Sequence, residues 1–149
     1  MVRKPWQKAL LSMVTIVAGG FVLFNLSFLL AVLVTYAIKA VSGGVAEVEP
    51  YALGVYFVLL GILSWFIFRS KLNDLLKALY LTMPLMTVLV GVGIALNAQP
   101  KWIRLAAGAV AVFAVLAYLF KRKLSWMYVF AAVFVGVMGL IIVLANIQI

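Results

Sequence analysis

Apolar residues fill this chain in five runs, and every charged residue but Arg104 falls in a short break between them or ahead of the first. The runs cover residues 9–38, 51–68, 78–97, 102–120 and 124–147. A helix that crosses the hydrocarbon of a bilayer needs about 20 mainly apolar residues, and each run is of that order. Between them stand Gly43-Gly44 and Pro50, then a charge cluster over 69–77, then Gln99-Pro100-Lys101, then Lys121-Arg122-Lys123. Glycine, proline and charge end helices and start turns. None of the breaks has room for a soluble domain. The pattern predicts an all-α integral membrane protein, a five-transmembrane-helix bundle forming a single membrane domain over 1–149.

The first run is too long for a straight crossing. At 30 residues it makes a helix of about 45 Å against a hydrocarbon core of about 30 Å. Tilt alone would have to reach about 48°, outside the usual 0–40° range. Gly19-Gly20 lies within the run, and a glycine pair is a plausible place for a helix to bend. The first helix is therefore expected to be long and kinked near Gly19-Gly20, or to extend past the outer surface. A basic start followed by an apolar run also resembles a secretory signal. However, the apolar stretch continues for about 18 residues beyond the glycines, too far for a signal's apolar region of 7–15, so this span is read as structural.

Composition sharpens the class. Of 149 residues, 68% are hydrophobic and 10% charged, where soluble domains are about half apolar and a quarter charged. Such a chain cannot cover a water-exposed surface, which excludes a soluble enzyme, a nucleic-acid-binding domain or a secreted disulfide scaffold. There is no His and no Cys, so imidazole or thiolate metal sites, thiol redox chemistry and Ser-His or Cys-His nucleophile pairs are absent. The acids are Glu47, Glu49 and Asp74 alone. Three carboxylates divided between two membrane faces cannot build an acid–base or metal cluster. We expect a non-enzyme with no cofactor, no metal site and no catalytic residues.

The net charge of +9 fits basic loops against anionic lipid headgroups, with no nucleic acid involved. Lys and Arg divide unevenly between the alternate ends of five spans. Arg3, Lys4, Lys8, Arg69, Lys71, Lys77, Lys121, Arg122 and Lys123 fall on one side; Lys39, Lys101 and Arg104 fall on the other. Basic loops stay in the cytoplasm, which predicts N-terminus in and C-terminus out. A four- or six-span count would put one basic cluster on the wrong side. Arg69, Lys71, Lys121, Arg122 and Lys123 are the expected headgroup anchors on the cytoplasmic side. Trp6, Trp65, Trp102 and Trp126, with Tyr36, Tyr51, Tyr80 and Tyr118, fall near span ends, where amphipathic rings settle at the interface. The expected location is a cell membrane, as a multi-pass protein of the prokaryotic cytoplasmic membrane type.

Polar side chains inside the spans are few. Asn25 and Ser27 lie near the middle of the first run, and Thr87 near the middle of the third, three residues after Pro84. A carboxamide in hydrocarbon needs partners, and an interhelical hydrogen bond from Asn25 to Thr87 is the simplest expectation. Pro84 leaves the Tyr80 carbonyl without its helical donor, and Thr82 or Thr87 is placed to satisfy it. Asn25, Ser27, Pro84 and Thr87 are thus the candidate intramembrane contacts. Small residues recur at close helical spacing, as in Gly91/Ala95, Ala107/Ala111, Ala132/Gly136 and Gly54/Gly61, with Gly139 beyond, and let helix backbones approach. Hardly any reactive group sits among them. The leading reading is a non-catalytic protein acting through helix packing, as a homo-oligomer or an accessory subunit of a membrane complex. The alternative is a small channel or carrier for a neutral or apolar solute, lined by Asn25, Ser27, Thr87 and the carbonyl freed by Pro84.

Overall fold

The structure, a computed structural model, describes residues 5–43 and 48–144, with side chains for all of these except 48–51 and 53. Among the described residues every regular element is a helix. They are α1 (Pro5–Val41), α2 (Val48–Arg69), α3 (Asp74–Ala95), α4 (Lys101–Lys121) and α5 (Trp126–Leu144). Over the described residues each apolar run falls on one helix. Four helices, α1, α3, α4 and α5, are long and apolar enough to cross a membrane, and Gly54–Arg69 of α2 forms a shorter apolar helix. Arg3, Lys4, Glu47 and residues 145–147 of the last run lie outside the described residues, as does the side chain of Glu49.

The breaks work as turn chemistry predicts. Asn73 caps α3, its side chain accepting the Leu76 N–H at 2.9 Å, and Asp74 places a carboxylate in the first turn, where the helix dipole favours it. Lys77 reaches back across the same turn and donates to the Phe68 carbonyl at the end of α2, 3.1 Å away. Lys123 closes α4 with a positive φ of 50°.

At 37 residues, α1 measures about 55 Å, more than a whole bilayer of about 40–45 Å with headgroups. It continues through Gly19-Gly20 as one helix. What the pair does is admit α3: a Cβ on Gly19 would meet Leu79, and one on Gly20 would meet Thr82. These contacts, with Ser27 near Thr87, run in the same residue order on both helices, so α1 and α3 are parallel. Likewise Ser64 meets Tyr80 and Tyr56 meets Thr87, in opposite order, which sets α2 antiparallel to α3. Gly139 packs on Leu89, and the Tyr128 hydroxyl donates to Asp74, so α5 is parallel to α3. Lys8, Arg69, Lys71, Lys77, Lys121, Arg122 and Lys123 therefore share one end of the bundle, and Lys39, Lys101 and Arg104 the other.

The core lies around α3, which supplies buried Ala78, Tyr80, Thr82, Met83, Leu85 and Met86. One apolar cluster joins Ile16 of α1, Ala78, Leu85 and Met86 of α3, and Tyr128, Ala131, Ala132 and Val135 of α5. A second gathers Tyr56 and Leu60 of α2 with Tyr80 and Met83. Ala131, Ala132 and Val135 have no exposed surface, because small residues let α5 lie close to α3. By contrast, α4 contributes only Leu119 to the buried set and rides on the edge of the bundle.

Candidate functional site

The described polar side chains of the bundle's middle fall into two groups, one buried and one exposed. The buried group joins three helices. Ser27 of α1 and Tyr56 of α2 share a hydrogen bond between hydroxyls. Thr87 of α3 stands 3.5 Å from the Ser27 oxygen and 3.4 Å from that of Tyr56. Thr87 also donates to the Met83 carbonyl of its own helix at 2.9 Å. That bond uses its one proton, so towards Ser27 and Tyr56 it is an acceptor. The three hydroxyls then form a chain that ends on a backbone carbonyl, with every proton placed. Ser27 is 3% exposed and Tyr56 4%, and burying hydroxyls at these positions is tolerable only because each is paired.

Nearer the basic end, a smaller pair repeats the arrangement. Ser64 of α2 donates to the Leu60 carbonyl at 2.7 Å, which leaves the Tyr80 hydroxyl to donate to Ser64 over 3.1 Å. Tyr80, expected at an interface, is buried at 5%, its ring edge-on to Phe68.

Asn25 does not join the buried group. The expected bond to Thr87 is absent, and Ser27 takes that place. Two residues along a helix is a rotation of about 200°, so when Ser27 faces α3, Asn25 faces outward. It is exposed, and its Nδ2 donates to the Phe21 carbonyl one turn earlier at 2.8 Å. Among the described residues its second amide proton and its carbonyl oxygen have no hydrogen-bond partner. Pro84 is half-buried. Neither threonine turns to the Tyr80 carbonyl that Pro84 frees: Thr82 donates to Leu79 and Thr87 to Met83.

The basic end is built from stacked cations. The Arg69 guanidinium lies 4.2 Å from the Trp65 ring centre and that of Arg122 5.7 Å from Tyr118, within cation–π range. Lys71, Lys121 and Lys123 are exposed. Trp6, Trp65, Trp102 and Trp126 are all exposed and stand near helix ends.

Of the small residues, Gly136 and Gly139 serve packing inside the chain. A Cβ on Gly136 would come within 3.1 Å of Val112 on α4, and one on Gly139 within 3.0 Å of Leu89 on α3. Gly54 and Gly61 of α2 meet nothing within 4 Å. Among the described residues no three of His, Cys, Asp and Glu gather as a metal-ligand set.

Sequence reasoning missed two residues. Tyr56 gave no signal, since a tyrosine in an apolar run reads as packing or interface. Arg104 reads in the sequence only as a cation of the less basic side; it sits in the first turn of α4, half-buried, its Nε enclosed with no hydrogen-bond partner. No family model, no curated protein and no solved structure matches this chain.

Proposed function

We propose that this chain is a five-span membrane protein, basic end in the cytoplasm, that works without catalysis by associating with a second copy of itself through α1. The membrane reading rests on the apolar helices and the sorting of Lys and Arg between the two ends. The observation that carries the association is Asn25. It stands near the middle of α1, on the face turned away from the bundle, with one amide proton and its carbonyl oxygen unused. In hydrocarbon that capacity must find partners from another molecule. A carboxamide holds a donor and an acceptor together, so two copies related by a two-fold axis satisfy each other.

The surroundings suit this. Leu11, Val14, Ala18, Phe21, Asn25 and Phe28 are all exposed and follow the alternating three- and four-residue spacing of a helix–helix seam. Ala18 permits close approach, and a single polar residue in such a seam sets its register. The basic end, with Arg69, Lys71, Lys121, Arg122 and Lys123, would face anionic headgroups.

A chain without cysteine makes the test clean. Single cysteines at Ala18 and Asn25 should give a disulfide-linked dimer on oxidation in membranes, and one at Leu23, which packs on the inner cluster, should not. A strictly monomeric species across detergents and nanodiscs, with no cross-link at either position, would overturn the proposal.

The second reading, a channel or carrier lined by Asn25, Ser27, Thr87 and the freed carbonyl, loses support from their placement. Asn25 faces away from the other two, and the buried hydroxyls bond one another rather than line a path.

A further inference from the structure

A cavity of about 300 Å³ opens between α3, α4 and α5. It runs from Met86, Leu116 and Val133 at its inner end to Gly93, Arg104 and Val143 at its outer end. From Leu116 to Arg104 is twelve residues of helix, about 18 Å, a little more than half of a hydrocarbon core of about 30 Å. The cavity is thus about as deep as one leaflet. Its walls are apolar, and Gly108 and Gly93 leave it open: a Cβ on Gly108 would meet only Leu89, at 3.8 Å, and one on Gly93 would meet nothing within 4 Å. Phe113 and Val137 on its rim are exposed, so it opens sideways, to the side where acyl chains lie in a bilayer.

One cation closes its outer end. Arg104 is the charged residue of the lining, and its Nε is buried without a hydrogen-bond partner. It also stands in the first turn of α4, which has no acidic residue. The positive end of a helix dipole repels a cation and favours an anion. Among the described side chains the one carboxylate, Asp74, is at the other end of the bundle. An arginine set at the wrong end of a helix dipole, beside an apolar slot, with an unpaired guanidinium nitrogen, is electrostatically incomplete.

We propose that this cavity is a binding site for a single-chain anionic amphiphile, its acyl chain between α3, α4 and α5 and its carboxylate or phosphate on the Arg104 guanidinium. A planar guanidinium suits both oxyanions, since it can donate two parallel bonds to either. The volume is at the low end for small-molecule sites, which suits one chain. The site depends on the membrane reading but not on the pairing of α1, and it lies on other helices.

Purified protein in an uncharged detergent, titrated by native mass spectrometry, tests this with four probes. Palmitate and single-chain lysophosphatidic acid should each bind one to one; zwitterionic lysophosphatidylcholine and inorganic phosphate should not. Retention of palmitate alone identifies a free fatty acid as the source, and retention of lysophosphatidic acid alone a lipid headgroup. Arg104→Gln should weaken anionic binding at least about tenfold, as expected for losing a charge-assisted bond in an apolar site. Gly108→Leu should abolish it by filling the slot, with Gly93→Leu as the second variant if the first folds poorly. The proposal falls if lysophosphatidylcholine binds as well as the anions, if no probe binds, or if folded Arg104→Gln and a folded cavity-filling variant retain the anions as the parent does.

Discussion

Gly20 of α1 and Thr82 of α3 meet so closely that a Cβ on the glycine would stand 2.5 Å from the threonine Oγ1 and 3.0 Å from its Cβ. Thr82 cannot swing aside freely, because its hydroxyl is bonded to the Leu79 carbonyl at 2.7 Å and the residue is 2% exposed. The contact sets the distance between the two helices that share the main core. Its position is fixed by backbone against side chain, with no flexible group to absorb an added atom.

Gly20→Ala should therefore destabilise the bundle by about 1–3 kcal/mol, the usual cost of overpacking a filled core. Removing the obstacle should repair it: Gly20→Ala combined with Thr82→Ala should recover most of the loss, giving a strongly non-additive cycle. Gly54→Ala is the control, since nothing lies within 4 Å of that glycine; it should be neutral or stabilising by up to about 1 kcal/mol through helix propensity. Unfolding in mixed micelles, followed by circular dichroism, reads these variants against the parent, with Thr82→Ala alone closing the cycle. Equal effects at positions 20 and 54 would show that helix propensity alone is being measured.

How much of this was legible in the sequence depends on whether the property is local. A long apolar helix needs only an unbroken apolar run and a polar break, so the helices α1 to α5 can be read off directly. The inward face of each helix cannot. In a chain this apolar, Leu and Val serve equally against lipid or against a neighbour, and no polar stripe marks the outside. Asn25 was matched with Thr87 because both lie at mid-run; depth is visible in a sequence, but rotation about the helix axis is not. Ser27, noticed beside it, is the residue that faces α3. Tyr56 and Arg104 became significant only when neighbouring helices were in place, one as a link between Ser27 and Thr87, the other as the charged end of an apolar cavity.

The hydroxyl chain predicts a second set of energies. Tyr56→Phe removes a donor and acceptor that serve both Ser27 and Thr87, and should cost about 0.6–1.7 kcal/mol, the range measured for interhelical hydrogen bonds in membranes. Ser27→Ala should cost a similar amount. Because the two share one bond, the double variant should lose less than the sum. Ser12→Ala, whose hydroxyl bonds only the Lys8 carbonyl of its own helix, should have little effect. Strict additivity of Ser27 and Tyr56 in the same unfolding assay would mean that their hydroxyls act independently.

Sidedness follows from which turns carry the cations. Single cysteines at Ser70 and Ser125, both in turns at the basic end, should react with a membrane-impermeant maleimide only after the cells are opened. Cysteines at Ser42 and Gln99, at the opposite end, should react in intact cells. Labelling of Ser70 and Gln99 from the same compartment would break the antiparallel arrangement of α3 across the membrane, and with it the five-span reading.

Asn25 separates folding from association. Its side chain is exposed, and its hydrogen bond to the Phe21 carbonyl lies within α1, so Asn25→Leu should leave the unfolding midpoint of the monomer unchanged. Across a two-fold axis, however, the pair of carboxamides would lose its mutual bonds. Each is worth about 0.6–2 kcal/mol in a bilayer, so dimer dissociation constants should rise by roughly 3- to 30-fold per bond lost. Energy transfer between labelled copies, measured as the protein is diluted with lipid, reads this directly. Asn25→Gln keeps the amide on a longer stem and should recover part of the affinity. If Asn25→Leu instead strengthens association, the seam is held by apolar packing alone, and the carboxamide opposes the contact that it was inferred to hold together.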